Sequence, residues 1–436
     1  MKDVSAQAPN GANGKHVLAA VLGNALEFYD FITYTFFAIQ IGHAFFPKGS
    51  DFANLMLSLA TFGAGFLTRP IGGLVIGAYA DRAGRRAAMM LSFTLMGLSI
   101  VALALIPTYA QIGLAAPVLA VIARMVQGFS LGGEVGPNTA YLLEVAAPRQ
   151  RGLVVAWQGA SQQIASITGA LVGVALAWTL PHAALEAYGW RIAFLLGAIT
   201  LPVGLILRRT MPETLHAPEF LAVKPAKASK GIGVIRDNAR ILGLGLVVLA
   251  GGTISTYVIN YMTTYAQGVL HLDAGLSFAA TLAPNAAGLV AVLIGGWLSD
   301  RIGRRPVMIW GRALSTIIVL PVFYWIVASR SPSALLGGMG LFSLVNSAAQ
   351  GAFYAALCET LPKPVRAVAF GGLYAVAIAV FGGTTQLVVT WLIHVTGNAM
   401  APGWYLMAAM LASLVAMSLI LESAPARRDA LTAQTA

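Results

Sequence analysis

A ten-residue motif occurs twice in this chain, in the same register. The first copy runs from Gly77 to Arg86 and the second from Gly296 to Arg305, and both read G-x-x-x-D-R-x-G-R-R. The copies lie 219 residues apart (296 − 77), and each joins two long apolar segments through a short charged hairpin. Basic residues that merely flank membrane helices do not require a fixed Asp and two fixed Gly, so the motif predicts an internal structural repeat.

The composition around the two copies is typical of a polytopic membrane protein. Of the 436 residues, 58% are hydrophobic and 10% are charged, whereas soluble domains carry about 25% charged residues. The net charge of +11 comes from basic residues that punctuate apolar segments, which argues against nucleic acid as a partner. The single Cys358 excludes a disulfide framework and a multi-cysteine metal site, and the polar N-terminus predicts no cleaved signal peptide.

The length accommodates twelve membrane spans of about 20 residues each. The predicted spans are 17–46, 53–80, 87–107, 113–145, 150–180, 189–208, 240–269, 275–299, 306–328, 333–361, 366–396 and 402–421. Most of the Lys and Arg residues lie in connections on one side, which predicts that both termini are cytoplasmic.

A second echo supports a division into two halves. The segment after span 4 contains Glu144, Pro148 and Arg151, and the segment after span 10 contains the same residue types in the same order, Glu359, Pro362 and Arg366. The predicted domains are an N-terminal six-helix bundle (1–208), a cytoplasmic linker (209–239) and a C-terminal six-helix bundle (240–436). Two parallel repeats around a central cavity are typical of alternating-access carriers.

The repeated motif and the two-by-six layout resemble the major facilitator superfamily. Three segments resemble its metabolite–proton symporters, namely Gly23–Phe31, Phe66–Gly72 and Arg124–Glu134. Five further segments resemble its citrate–proton symporters, namely Phe52–Leu57, Ile112–Leu119, Trp157–Gln163, Phe381–Gly383 and Pro402–Trp404. The resemblance implies an all-α membrane protein with twelve transmembrane helices in two pseudo-symmetric six-helix bundles.

Charged residues inside spans are costly, roughly 2.5–3.5 kcal/mol each at the bilayer centre, and are therefore candidates for function. The predicted N-terminal spans contain Glu27, Asp30, Arg69, Arg124 and Glu134, and the C-terminal spans contain none at comparable depth. Asp30 and Arg124 are predicted to form the proton-coupling pair, which the resemblance supports, with Glu27 and Glu134 as other proton carriers. The alternative is a permanent structural ion pair.

Arg69 is predicted to be the main substrate anchor, because a guanidinium binds a carboxylate through two hydrogen bonds and stays charged. The alternative is that Arg69 neutralises Glu27 or Asp30. The other predicted substrate-binding residues are Arg124, Gln127, Gln158, Ser161, Gln162, Tyr257, Asn260 and Tyr261. Each of these polar groups could instead form a hydrogen bond between helices.

The repeated hairpins are predicted to form a gate on the cytoplasmic side. Its predicted members are Asp81, Arg85, Glu144, Arg151, Asp300, Arg304, Glu359 and Arg366. Asp81 is expected at the positive N-terminal end of a neighbouring helix, and the expected ion pairs are Arg85–Glu144 and Arg304–Glu359. These contacts are expected to hold the outward-open state.

The sequence thus predicts a secondary carrier of the bacterial cytoplasmic membrane, functional as a monomer in the lipid bilayer, that imports a tricarboxylate such as citrate with protons. The alternatives are another carboxylate or metabolite (a dicarboxylate, tricarballylate, an aromatic acid, or proline or betaine) and coupling assisted by sodium. A receptor or scaffold is a further alternative, which the two intact gate motifs disfavour. No catalytic triad, metal-ligand spacing or phosphate loop is apparent, so an enzyme, a metal site and a cofactor are not expected.

Overall fold

The computed structural model describes residues 14–47, 49–83, 85–132, 135–199, 202, 238–361 and 366–424. Within these ranges the helices group into twelve units, numbered spans 1–12 in chain order. The predicted linker 209–239 lies almost wholly outside these ranges, and so does Glu134. The side chains of Asp81 and Arg85 also lie outside the described part of the structure.

The helix bounds agree with the predicted spans to within several residues, and four of the described spans consist of more than one helical segment. Spans 1–6 are Gly14–Phe36 with Ala38–Phe45, Asp51–Leu67 with Arg69–Ala83, Arg85–Leu105, Ala115–Leu131 with Val135–Val145, Arg151–Thr179, and a sixth described over Trp190–Ala198. Spans 7–12 are Ala239–Gly268, Ala274–Ile302, Arg304–Ser329, Pro332–Thr360, Arg366–Ala377 continued through a π-turn (Ile378–Gly382) into Gly383–Thr396, and Ala401–Ser418. Eight described helices are long and apolar enough to cross a membrane by length and composition.

Local sequence signals determine where several spans begin. Asp273 caps span 8 by accepting a hydrogen bond from the backbone N–H of Leu276 at 3.0 Å, and Ser331 caps span 10 before Pro332 at the first helical position. Between spans 8 and 9, Gly303 has a φ of 106°, which residues with a Cβ rarely adopt. The geometry of this hairpin therefore explains the second glycine of the repeated motif in this copy.

Spans 2 and 4 cross in direct backbone contact. A Cβ at Gly128 would overlap the carbonyl oxygen of Gly65, and a Cβ at Gly132 would overlap that of Arg69. Small residues at such crossings allow membrane helices to approach closely. This crossing fixes the positions of Arg69 and Arg124, which lie on the two spans that meet here.

Spans 5 and 8 form the main seam between the N-terminal spans 1–6 and the C-terminal spans 7–12. At one end of the seam Gly152 packs against Gly296, and at the other Gly173 packs against the ring of Phe278. We call the end at Gly152 and Gly296 the motif end, because it contains the second repeated hairpin. The end at Gly173 and Phe278 is called the far end. The two halves therefore touch at both ends of the molecule.

Candidate functional site

A central cavity lies between the two halves, and its empty volume is about 700 Å³ including the solvent at its opening. Spans 1, 5, 7, 9, 10 and 11 line it. Its polar lining residues are Gln162, Gln163, Ser166, Thr253, Thr256, Tyr257, Asn260, Arg312, Gln350, Tyr354 and Tyr374. Of the residues predicted to bind substrate, Gln162, Tyr257 and Asn260 are therefore in the wall of the cavity.

Arg312 corrects one prediction from the sequence. The C-terminal spans were expected to contain no charge at depth, but Arg312 lies in span 9, is 1% exposed and lines the cavity. Span 9 begins at Arg304, eight residues earlier (312 − 304), which places Arg312 about 12 Å along the helix axis. The distance of Arg312 from the end of the repeated motif could have indicated this depth. By sequence alone, Arg312 groups instead with the basic residues that flank the helix.

Arg69 and Arg124 share one aromatic ring. The guanidinium carbon of each lies 4.3 Å from the centroid of the Phe31 ring, and Arg69 also lies 4.6 Å from the ring of Phe66. Cation–π contacts of desolvated arginines contribute about 2 kcal/mol. Among the described residues, no carboxylate lies within 4.0 Å of either guanidinium. Within the described residues, both buried cations therefore contact mainly aromatic faces.

These two arginines lie behind the cavity wall. Neither lines the cavity, but Arg69 is within electrostatic range of two lining residues, Tyr257 and Tyr374. The Tyr257 ring lies 5.6 Å from the ring of Phe66, which Arg69 covers. One layer of aromatic side chains therefore separates the Arg69 guanidinium from the space where a ligand would bind.

The predicted ion pair between Asp30 and Arg124 is absent. Both residues are buried, yet neither carboxylate oxygen of Asp30 has a hydrogen-bond partner among the described residues. Arg124 instead donates from Nη1 to Gln127 Oε1 at 2.5 Å and packs against aromatic rings. Aromatic rings contact the Arg124 guanidinium in place of the Asp30 carboxylate. The Asp30 carboxylate packs against Gly197 of span 6.

Asp30 and Glu27 border a second, smaller space of about 210 Å³ between spans 1 and 3. Both are buried, Glu27 at 3% exposure and Asp30 at 1%. A buried carboxylate without donors is stable only as the neutral acid, because desolvation of its charge is uncompensated. The geometry therefore suits Asp30 to hold a proton in this conformation.

Several predicted substrate-binding residues connect helices instead of facing the cavity. Gln158 donates to Asn24 Oδ1 at 3.2 Å and accepts from Asn138 at 2.7 Å, and Asn24 donates to Ser161 at 2.6 Å. These bonds tie spans 1, 4 and 5 together. The hydroxyl of Tyr261 accepts from Thr390 of span 11 at 2.9 Å. For these residues the structure favours the interhelical alternative, whereas Gln127 accepts from Arg124 within span 4 itself.

Gln162 and Asn260, by contrast, line the cavity. The side-chain amide of Gln162 donates to the hydroxyl of Tyr374 at 3.1 Å, across the cavity from span 5 to span 11. Asn260 is 1% exposed and its Oδ1 atom has no hydrogen-bond partner in the described part of the chain. Unpaired buried polar atoms in a cavity wall are available to a ligand.

At the motif end, the second hairpin joins the two halves. The Asp300 carboxylate accepts from the backbone N–H groups of Gly152 at 2.8 Å and Leu153 at 2.9 Å, at the N-terminal end of span 5. Arg304 pairs with Asp300 at 2.7 Å and with Glu359 at 3.0 Å. The Arg304–Glu359 pair is the one predicted from the sequence, and Asp300 makes the helix-end contact that was expected of Asp81 in the first copy.

The tail after span 12 completes this cluster. Glu422 accepts from the backbone N–H groups of Arg304 at 2.9 Å and Arg305 at 3.0 Å, so it caps span 9. Ser423 donates to Glu359 at 2.8 Å. The sequence did not indicate this role, because the capping residue is about 120 residues away in the chain.

The remaining predicted gate residues have separate surroundings. Glu144 is exposed, and its expected pair with Arg85 lies outside the described residues. Arg151 is half-buried, with an Nε atom that has no partner in the described structure. Arg366 is buried and donates to the backbone carbonyl of Leu361 at 3.3 Å.

The far end is closed as well. The rings of Phe37 and Phe278 lie 4.8 Å apart, and Phe52 stacks on His394 at 3.7 Å. Each pair joins the N-terminal spans to the C-terminal spans. The motif-end contacts were expected to hold an outward-open state, and in this structure aromatic contacts join the two halves at the far end as well.

Comparisons with known proteins agree with this architecture. A sequence model of the Major Facilitator Superfamily matches residues 21–372. A citrate–proton symporter of Salmonella typhi is 40% identical over 93% of both chains, and one of Klebsiella pneumoniae is 37% identical over 98% of this chain and 95% of the relative. An alpha-ketoglutarate permease of Escherichia coli K12 is 36% identical over 92% of this chain and 93% of the relative.

Among solved structures, a crystal structure of a D-xylose–proton symporter has a TM-score of 0.74 and covers 95% of this chain and 99% of its own. At 18% identity this likeness establishes the fold alone. The predicted class, an all-α membrane protein with twelve helices in two bundles, is confirmed. The resemblance on which the prediction rested is confirmed too.

Proposed function

Because this chain belongs to the major facilitator superfamily, we propose that it imports citrate together with protons by alternating access. It is a multi-pass transporter of a bacterial inner membrane, not an enzyme. The observation that carries the substrate assignment is identity of 37–40% to two citrate–proton symporters over almost the full chain. The central cavity supports it, because its lining includes a buried cation and neutral polar groups.

Three arginines give the region around the cavity a positive potential. Arg312 is in the wall, and Arg69 and Arg124 lie behind it. Guanidinium groups suit polycarboxylates, because each can bind one carboxylate through two parallel hydrogen bonds. We assign Arg69 as the anchor of the N-terminal half, reached when the Tyr257 ring moves aside.

Asp30 is the proposed carrier of the coupled proton. Its neutral form fits its buried position, where its carboxylate has no hydrogen-bond partner among the described residues. When the N-terminal spans open toward water, Asp30 can ionise and attract Arg124, and binding of an anion to the arginine favours proton uptake again. Glu27 on the same span is the second candidate.

Alternating access is proposed to use the contacts at the two ends in turn. The cluster of Asp300, Arg304 and Glu359 closes the motif end, which we place on the cytoplasmic side with both termini. The aromatic pairs close the far end, which faces outward. The two moving units are the predicted bundles 1–208 and 240–436, joined by 209–239, and one copy of the chain in lipid is sufficient.

The function is tested with purified protein in proteoliposomes. Labelled citrate uptake is followed while a proton gradient and a sodium gradient are imposed separately. We expect citrate to accumulate above equilibrium when the outside is acidic and sodium is absent, and a protonophore to abolish the accumulation. Accumulation driven only by sodium would refute proton coupling, and counterflow without accumulation under either gradient would indicate facilitated diffusion.

The second candidate is a dicarboxylate, since the alpha-ketoglutarate permease is 36% identical over a similar share of the chain. A panel of competing acids separates the two candidates in the same vesicles. Competition by 2-oxoglutarate at lower concentration than citrate would favour the dicarboxylate. The proline and betaine transporters are 29–30% identical, and the buried Arg312 disfavours a zwitterion.

A further inference from the structure

The C-terminal half contains a buried cation that no carboxylate of the described residues pairs with. Arg312 is 1% exposed, and no acidic side chain of the described residues lies within 4.0 Å of its guanidinium. By contrast, Arg304, eight residues earlier on the same helix, pairs with two carboxylates. A buried charge without a counter-ion is strongly unfavourable, so its retention at the cavity wall points to a mobile anion.

One neutral side chain holds the guanidinium in place. Arg312 donates from Nη1 to Asn346 Oδ1 at 2.8 Å, and its Nε atom has no hydrogen-bond partner within the described residues. An amide oxygen fixes the orientation of the group without removing its charge. The guanidinium is therefore positioned and still able to donate to an incoming carboxylate.

Polar side chains pack tightly around Gly288, in a nook beside the same face of span 10. An ideal Cβ at Gly288 would lie 2.8 Å from Ser343 Oγ, 2.9 Å from Gln163 Nε2 and 3.0 Å from Ser347 Oγ. The hydroxyls of Ser343 and Ser347 have no partner in the described structure. Positions 343, 346 and 347 have the i, i+3, i+4 spacing of one helix face, so this nook and Asn346 are adjacent.

We propose that Arg312, oriented by Asn346, binds one carboxylate of a di- or tricarboxylate substrate, and that Gln163, which also lines the cavity, donates to other oxygen atoms of the substrate. This inference rests on the proposed function. It assigns the C-terminal half a charged subsite of its own. A substrate with several carboxylates then contacts cations in both halves, and its length determines whether the halves close around it.

The test compares Arg312→Gln and Arg312→Lys with Arg240→Gln. Arg240 is an exposed cation at the start of span 7, so its variant controls for loss of one positive charge. Citrate binding is measured in nanodiscs by scintillation proximity, uptake in proteoliposomes, and thermal stability with and without citrate. We expect Arg312→Gln to raise the citrate Kd about 100-fold and Arg312→Lys about tenfold.

Two further readouts separate binding from a structural role. Uptake by Arg312→Lys should show a raised KM and a kcat within about threefold of wild type. The citrate-free Tm of Arg312→Gln should equal or exceed that of wild type, because an uncompensated buried charge is removed, while the citrate-induced rise in Tm should be lost.

The inference is overturned if either variant binds citrate within threefold of wild type, or if the citrate-free Tm falls and the citrate-induced rise persists. If Arg312→Gln does not yield folded protein, Arg312→Lys decides, and wild-type affinity in that variant overturns the inference. Failure of the proposed function has a different signature. Wild-type protein would then not bind citrate, and the tightest-binding acid of the panel would replace citrate as the probe.

Discussion

Asp300→Asn is expected to weaken closure of the motif end. The Asp300 carboxylate accepts two backbone hydrogen bonds from the other half, at 2.8 Å and 2.9 Å. Hydrogen bonds to a charged group contribute about 1.5–3 kcal/mol each and neutral ones about 0.5–1.5 kcal/mol. An asparagine retains one neutral acceptor, so the expected loss is about 3 kcal/mol.

The ion pair between Asp300 and Arg304 does not enter this sum, because both residues belong to the C-terminal half and stay together when the halves separate. Since about 1.4 kcal/mol corresponds to a tenfold change, the open population should rise roughly 100-fold. Distances between spin labels at Gln150 and Ile302, both exposed, report the opening. The single Cys358 is buried and is replaced by Ser beforehand.

Asp273→Asn is the matched control, since Asp273 lies in the same half but caps only its own helix, span 8. We expect Asp300→Asn to populate long label distances and Asp273→Asn to match wild type. The same distance distribution in all three proteins would refute the argument that this carboxylate closes the gate. Equal broadening in both variants would instead indicate a general loosening of span 8.

Three further outcomes are expected. Asp30→Asn should abolish citrate accumulation against a gradient but retain counterflow, and proton-linked accumulation by this variant would contradict the assignment. Glu422→Ala removes a helix cap and should lower the free energy of unfolding by about 1–2 kcal/mol, and with it the Tm. An unchanged Tm would exclude that role. Burial raises the pKa of Glu186, but hydrogen bonds with His43 and Gln40 outweigh it and lower the pKa below its ordinary value. Its contribution to stability is thus present above pH 4.5 and lost as pH falls through the lowered pKa, so the Tm difference between wild type and Glu186→Gln should shrink in acid; a difference that grows in acid would contradict this sign.

The repeated motif predicted the parts of the structure that depend on local geometry. Gly303 has the positive φ that only a glycine adopts easily, and the echo between the halves predicted the Arg304–Glu359 pair. Both follow from short segments whose spacing is fixed by the helices on either side.

Contacts between distant spans could not be predicted in the same way. Arg124 could pair with Asp30 or pack against rings, and only the crossing of spans 2 and 4 decides this competition. Gln158 and Gln162 share one helix face, yet Gln158 bonds to neighbouring helices and Gln162 reaches the cavity. The depth of Arg312 depends on where span 9 begins, and Glu422 from the chain's end caps that start.

The ring of Phe31 has a consequence for how the protein attracts its cargo. Two guanidinium carbons at 4.3 Å from one centroid can be at most 8.6 Å apart (4.3 + 4.3), where like charges repel by about 2 kcal/mol at an effective dielectric constant of 20. The negative face of an aromatic ring offsets part of this repulsion but has no net charge to cancel it. Phe31 thus contacts two cations at once, and within the described residues no carboxylate lies within 4.0 Å of either guanidinium for an arriving anion to displace.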